Sequence, residues 1–216
     1  MPLEGILSRI KENAIKKDEI RQEIQTVARK TNRISKQAIF LTHKGRIEEA
    51  MKLLSEASLN LDRLNEMAKV YPDLFYTGIV DSAFEEYAEA QILLSLVKDS
   101  VFISPEEIRV PSEPYVLGLA DVIGELRRRS LDLIRKGDVM AAEECLGIME
   151  TIYNEIIGCD ELLILIPGLR RKCDIARRVI EATRGDVTTE ARRLVLSNVM
   201  RELQKTIESK INSEEQ

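Results

Sequence analysis

The chain has 216 residues and a formal net charge of −5, with 32 % charged, 44 % hydrophobic and 4 % aromatic residues. This composition excludes a disordered chain and a membrane-embedded protein. The negative charge excludes a uniformly basic surface, so that binding to nucleic acid would need a local basic patch. The N-terminal residues contain no apolar run and the three cysteines form no CxxC motif. We therefore expect no signal peptide, no disulfide framework and a cytoplasmic protein.

Apolar residues recur at helical spacing through most of the chain, and no stretch alternates at period two for long enough to predict a strand. Turn residues such as Gly45, Gly137 and Gly185 mark expected helix ends, and Ser104 before Pro105 predicts a short helical turn. We therefore predict one all-α domain over residues 1–216, a bundle of about seven helices. The main predicted helices cover residues 17–43, 46–70, 73–98, 114–136, 138–157, 169–183 and 188–211, followed by a polar tail over 212–216.

Two glutamates fall on the apolar side of the third predicted helix. At about 100° per residue, Glu86 lies within the apolar stripe, Glu89 lies at its edge, and Glu85 points away. A charged carboxylate on a packed face needs a partner or a metal, and two carboxylates one turn apart repel each other unless a cation lies between them. Hard oxygen ligands suit Mg²⁺ or Mn²⁺. The alternative is an ion pair with Lys or Arg from a neighbouring helix.

A row of basic residues follows the first predicted helix on a face away from its apolar stripe. Arg29, Arg33, Lys36 and His43 recur at steps of four, three and seven residues. Such a row can follow the phosphates of a nucleic acid, although a solvated helix face has the same pattern. His43 is the only histidine, and its alternative role is to interact with the C-terminal end of the helix. The row predicts an RNA-binding face.

Glycine patterns typical of nucleotide binding are absent from the sequence. There is no GxxxxGK[ST] motif and no GxGxxG motif. The fourth predicted helix nevertheless contains two glycines, Gly118 and Gly124. We expect both to allow close helix packing rather than contact with phosphate.

Three motifs, in order, carry a resemblance to a known family. The first predicted helix closes on SKQAIFLTHK (residues 35–44), and the third contains EYAEA (residues 86–90). The fourth opens with YVLGLADVIGELR (residues 115–127) and is followed by Gly137-Asp138. In this order and spacing, over nearly the whole chain, they resemble the translin superfamily, and within it the branch of translin-associated factor X. The EYxEA motif carries the choice of branch, because translin proper lacks those carboxylates.

The resemblance implies an all-α fold of about seven helices that assembles into a hollow homo-oligomer, typically an octamer, with single-stranded RNA inside. For the factor X branch it further implies that Glu86 and Glu89, together with an aspartate from a later helix, hold Mg²⁺ for endonucleolytic cleavage of RNA. Counting without gaps from Gly137-Asp138 places Asn154 at the position of that aspartate. An amide oxygen binds Mg²⁺ more weakly than a carboxylate does.

Two carboxylates on the same predicted helix are candidates to replace the missing aspartate. Glu155 lies at the edge of an apolar stripe and is expected to reach inward, and Glu150 is the second candidate. The predicted metal ligands are therefore Glu86, Glu89, Asn154 and Glu155.

Three functions remain open at this point. The first is a metal-dependent endoribonuclease acting on single-stranded RNA, in which Glu86, Glu89 and Asn154 are the catalytic residues. The second is a binding protein for single-stranded RNA or DNA that does not cleave it, which the asparagine at position 154 favours. The third is a helical adaptor without nucleic acid, which the acidic net charge favours.

Overall fold

The computed structural model describes residues 3–72 and 78–214, and the side chains up to residue 209. Within these ranges every regular element is a helix, which confirms the all-α prediction. No described helix has the length and apolar character needed to cross a membrane. The eight helices are α1 Leu3–His43, α2 Ile47–Val70, α3 Gly78–Asp99, α4 Pro105–Ile108, α5 Ser112–Lys136, α6 Val139–Ile157, α7 Asp160–Leu165 and α8 Leu169–Glu214.

Most helix ends agree with the prediction, and the local signals explain them. Gly45 has a φ of 72°, the left-handed conformation that glycine adopts without a Cβ clash after a helix end. At the start of α4, Ser104 and Glu107 form a capping box, in which each side chain bonds to the other residue's backbone N–H. The predicted start of the third helix at residue 73 lies outside the described residues.

Three predicted boundaries were wrong. Helix α1 begins at Leu3 instead of residue 17, and a six-residue helix, α7, was not predicted. The two helices predicted over 169–183 and 188–211 are one helix, α8, which passes through Gly185 and continues to Glu214, so that residues 212–214 are not a loose tail. A glycine inside a helix costs only about 1 kcal/mol, and buried residues such as Ile180, Thr183 and Val187 continue the packed stripe across it.

The chain divides into two compact units between Val122 and Ile123. In the first unit, α1 packs against both α2 and α3. Helix α1 runs antiparallel to α2, since Lys30 pairs with Glu56 and Arg63 pairs with Glu23. The single domain expected over residues 1–216 stays a prediction.

Helix α3 forms the centre of the core in the first unit. Its buried side chains point in all directions around the helix axis, a pattern typical of a helix with neighbours on most sides. They are Val80, Ala83, Phe84, Tyr87, Ala88, Ala90, Ile92, Leu93, Leu94 and Leu96.

In the second unit, α6 packs along α8. The hydroxyl of Ser130, on the C-terminal half of α5, donates to the backbone carbonyl of Ala142 at 3.2 Å. On the same half of α5, Arg127 donates to the hydroxyl of Thr183 at 2.9 Å and to Asp186 at 3.1 Å. These bonds connect α5 to α6 and α8 within the unit, and they satisfy two buried hydroxyl groups.

Candidate metal and nucleic-acid site

The two predicted metal ligands lie one helical turn apart in the middle of α3. Both Glu86 and Glu89 are half-buried, and the side chain of Glu86 is 18 % exposed. Their neighbours Ala88 and Ala90 are fully buried. Glu85, which was expected to point away, is half-buried as well. The expectation of a mostly buried helix is therefore confirmed, and the carboxylates lie where the buried surface of α3 meets solvent.

Gly118 on α5 fixes the backbone beneath these carboxylates. A Cβ at position 118 would lie 2.6 Å from the carbonyl oxygen of Glu85 and 2.9 Å from the backbone nitrogen of Glu89. Only glycine allows α5 to approach the backbone of α3 so closely. The expectation that Gly118 serves close helix packing is thus confirmed. The same expectation was wrong for Gly124, where an added Cβ would meet no described atom within 4 Å.

The predicted basic row lies on α1, in the same unit as the carboxylates. Arg29, Arg33 and Lys36 are exposed and His43 is half-buried. The ammonium of Lys36 lies 3.5 Å from a carboxylate oxygen of Glu86. An ion pair with a neighbouring helix was the alternative to a metal at this position, and the structure contains one. The sequence carried no signal for this partner, because the pairing depends on how α1 and α3 are aligned.

A polar seam joins α1 and α3 beside this ion pair. The amide of Asn32 donates to the hydroxyl of Ser82 at 3.3 Å, four residues before the Lys36–Glu86 pair on both helices. The two helices therefore run parallel with a constant offset. In the described residues, the carbonyl oxygen of Asn32 and the buried hydroxyl of Ser35 have no hydrogen-bond partner. Unsatisfied polar atoms are costly in a core, and they leave this seam ready to accept a water or another donor.

Negative charge accumulates at the N-terminal part of α3. The pKa of Asp81 is raised, first by burial and then by the charges of Glu113 and Glu85. Asp81, Glu85 and Glu89 recur every four residues, so they lie on one side of α3. The carboxylates of α3 thus repel one another, and a cation near them would relieve that repulsion.

The expected third ligand lies in the second unit. Asn154 is exposed on α6 and lines a polar cavity of about 280 Å³, together with Tyr153 and Arg177. Of its candidate substitutes, Glu155 is exposed instead of facing the buried stripe. Glu150 accepts a hydrogen bond from Arg184 at 2.7 Å. The roles of Asn154 and Glu155 as ligands stay predictions.

The donor set at Glu86 and Glu89 suits a hard divalent cation. Two carboxylates separated by one turn can hold Mg²⁺ or Mn²⁺ with water completing the coordination shell, as Mg²⁺ sites in proteins usually do. Across residues 3–72 and 78–214, no three His, Cys, Asp or Glu side chains gather as a complete metal site. The pair thus fits a partly hydrated cation that also contacts a substrate.

Comparisons with known proteins agree with this architecture. The sequence model of the Translin family matches residues 19–182. The chain is 32 % identical over 190 residues to the uncharacterized protein MJ0175 of Methanocaldococcus jannaschii, which covers 87 % of this chain and 84 % of that protein.

Solved structures with similar folds include apo-NeC3PO, with 26 % identity and a TM-score of 0.77 over 88 % of this chain and 98 % of that one. AfC3PO has 29 % identity and a TM-score of 0.76 over 87 % and 97 %. A structure described as an AfC3PO–duplex RNA complex has 28 % identity and a TM-score of 0.76 over the same shares.

Proposed function

The chain belongs to the Translin family, and from that premise we propose that it is a metal-dependent endoribonuclease of the translin-associated factor X type. The observation that carries this proposal is the half-buried pair Glu86 and Glu89 on α3, one turn apart and beside the basic row of α1. The similar AfC3PO structure, which is described as a complex with duplex RNA, supports RNA as the ligand class. Single-stranded RNA remains the proposed substrate, and duplex RNA is the comparison to include in every assay.

Glu86 and Glu89 would hold Mg²⁺ or Mn²⁺, and Asn154 with Glu155 would complete the set. A divalent cation in such a site supplies Lewis acidity and neutralises charge that develops on a scissile phosphate. The carboxylates themselves fix the position of the reaction on the protein, because α3 is packed on most sides. The close approach at Gly118 holds their backbone in place.

The basic row of α1 would bind the RNA backbone. Arg29 and Arg33 are exposed and present guanidinium groups suited to bidentate contacts with phosphate. Each phosphate contact to a single strand contributes a slope of about 0.7 to the dependence of log affinity on log salt concentration. Arg29→Gln with Arg33→Gln should therefore lower this slope by about 1.4, measured by fluorescence anisotropy of labelled RNA across a salt series. An unchanged slope would remove the two arginines from the binding face.

Cleavage is tested with fluorescent single-stranded and duplex RNA in Mg²⁺ or Mn²⁺, comparing wild type with Glu86→Gln/Glu89→Gln. Glu85→Gln is the matched control, since Glu85 is also a half-buried glutamate of the same turn. We expect metal-dependent cleavage by wild type and by the control, and a loss of at least about 100-fold in the double variant. Equal activity in the double variant and wild type, or no cleavage by wild type with either metal, would contradict the proposal.

A second candidate function is RNA binding without cleavage. It is favoured by the amide at position 154 and by the ion pair that already compensates Glu86. It predicts RNA binding that persists in EDTA, with the RNA recovered intact. If no RNA binds at low salt, both nucleic-acid proposals fail and a helical adaptor remains.

Assembly into a homo-oligomer, with an octamer expected, is the remaining part of the proposal. Helix α8 exposes a continuous apolar stripe that includes Val199, 55 % exposed, and Leu203, 59 % exposed. Stripes of this kind on a long helix are typical of subunit interfaces. Val199→Glu/Leu203→Glu should lower the mass measured by light scattering after size exclusion. Lys205→Glu, on the opposite side of α8, is the control and should leave the mass unchanged. An unchanged mass in the double variant would exclude this stripe from the assembly.

A further inference from the structure

Lys36 and Glu86 form an ion pair whose two members differ in their exposure to solvent. The side chain of Lys36 is 67 % exposed, whereas that of Glu86 is 18 % exposed, and the Nζ–Oε2 distance is 3.5 Å. The ammonium therefore reaches from solvent to a carboxylate that is partly withdrawn from it. A long, flexible side chain in this position can leave at little cost, because exposed ion pairs are weak.

The same carboxylate is one of the two proposed metal ligands. A half-buried carboxylate is stabilised by a compensating positive charge, which either an ammonium or a divalent cation supplies. An ammonium within 4 Å of a cation-bound carboxylate would be repelled by the cation. Lys36 and a metal thus compete for one negative charge.

We propose that Lys36 is a built-in counter-ion for Glu86, which a divalent cation displaces, and that the displaced ammonium then becomes available to a phosphate of bound RNA. This inference rests on the proposed metal site at Glu86 and Glu89. It gives Lys36 two successive partners, the carboxylate before the cation binds and the RNA backbone afterwards. Binding of the cation and of RNA would then strengthen each other, and by linkage the coupling acts equally in both directions.

The position of Lys36 among the basic residues of α1 agrees with this exchange. Arg33 lies one turn before it on the same exposed face, so an ammonium released from Glu86 remains within the row that would contact phosphates. The Asn32–Ser82 hydrogen bond on the buried side of the seam keeps α1 and α3 aligned, so the exchange needs only a side-chain rotation.

The experiment measures binding of Mn²⁺ alone, without RNA, by calorimetry or by the paramagnetic resonance of unbound Mn²⁺. Lys36→Met removes the charge and keeps a flexible apolar stem, so we expect Mn²⁺ to bind about three- to fivefold more tightly than to wild type. Lys36→Arg keeps the charge and should bind Mn²⁺ within about twofold of wild type. Lys30→Met is the matched control on the same helix: Lys30 pairs with Glu56 at 2.7 Å, away from the site, and its Mn²⁺ affinity should not change.

The outcomes separate this inference from the proposed function. If wild type and Lys36→Met bind Mn²⁺ equally, or if Lys36→Met binds it more weakly, the counter-ion role is overturned while the metal site stands. If no variant binds Mn²⁺, or if Glu86→Gln/Glu89→Gln binds it as well as wild type does, the metal site fails and the inference fails with it. Helical circular dichroism of each variant shows that the change in affinity does not come from unfolding.

Discussion

Substituting alanine for Gly118 tests how closely α5 approaches the carboxylate turn of α3. The new Cβ would lie 2.6 Å from the carbonyl oxygen of Glu85, 2.9 Å from the nitrogen of Glu89 and 3.0 Å from the Cβ of Ala88. None of these atoms can move by rotating a side chain, because two belong to the backbone and the third is fixed to it. The helices would therefore have to separate, and overpacking of this kind costs about 1–3 kcal/mol.

Gly124→Ala supplies a matched control on the same helix. Both substitutions gain about 1 kcal/mol from the better helix propensity of alanine, but at position 124 the Cβ meets no described atom within 4 Å. We therefore expect Gly124→Ala to be more stable than wild type, and Gly118→Ala to be less stable than Gly124→Ala by about 1–3 kcal/mol. The difference between the two variants contains the steric cost alone, since the propensity gain cancels.

Urea denaturation followed by helical circular dichroism measures both free energies of unfolding. All samples need one protein concentration, because the stability of an oligomer depends on it. A shift of α3 should also disturb Glu89, so Gly118→Ala should weaken Mn²⁺ binding while Gly124→Ala leaves it intact. If the two variants unfold within about 0.5 kcal/mol of each other, the helices do not approach as closely as described, and the account of Gly118 is refuted.

Two further predictions concern ionisable groups. Burial raises the pKa of both the Cys145 and the Cys173 thiol, which lowers the reactive thiolate fraction, whereas Cys159 is exposed. Alkylation of the native protein should therefore modify Cys159 first, as shown by peptide mass spectrometry, and rapid labelling of the other two would contradict their burial. Burial, followed by the charge of Glu113, raises the pKa of Asp81. The resulting penalty is present above the folded-state pKa and disappears as the pH falls through it, so Asp81→Asn should stabilise the protein near neutral pH by less than about 1 kcal/mol. Urea denaturation should show no such gain at acidic pH, and a loss of stability at neutral pH would reverse the sign of this reasoning.

Helix α8 shows where local sequence signals reached their limit. Gly185 predicted a helix end because glycine weakens a helix, but the penalty is small compared with the packing of α8 along α6. The buried residues Ile180, Thr183 and Val187 keep helical spacing across the glycine. The apolar period was therefore the better guide. At the other end of the chain, the first turns of α1 bury almost nothing, so no apolar stripe indicated that they were helical.

The sequence by itself determined the helical class and most helix ends, because these depend on local periodicity and on capping residues such as Ser104 and Gly45. It also placed Glu86 and Glu89 together, since residues three apart share a helix face. Only the tertiary structure decided that Lys36 pairs with Glu86 and that Gly118 contacts the backbone of the same turn. Both contacts depend on the alignment and distance of helices far apart in the chain, which long-range packing sets and no local pattern records.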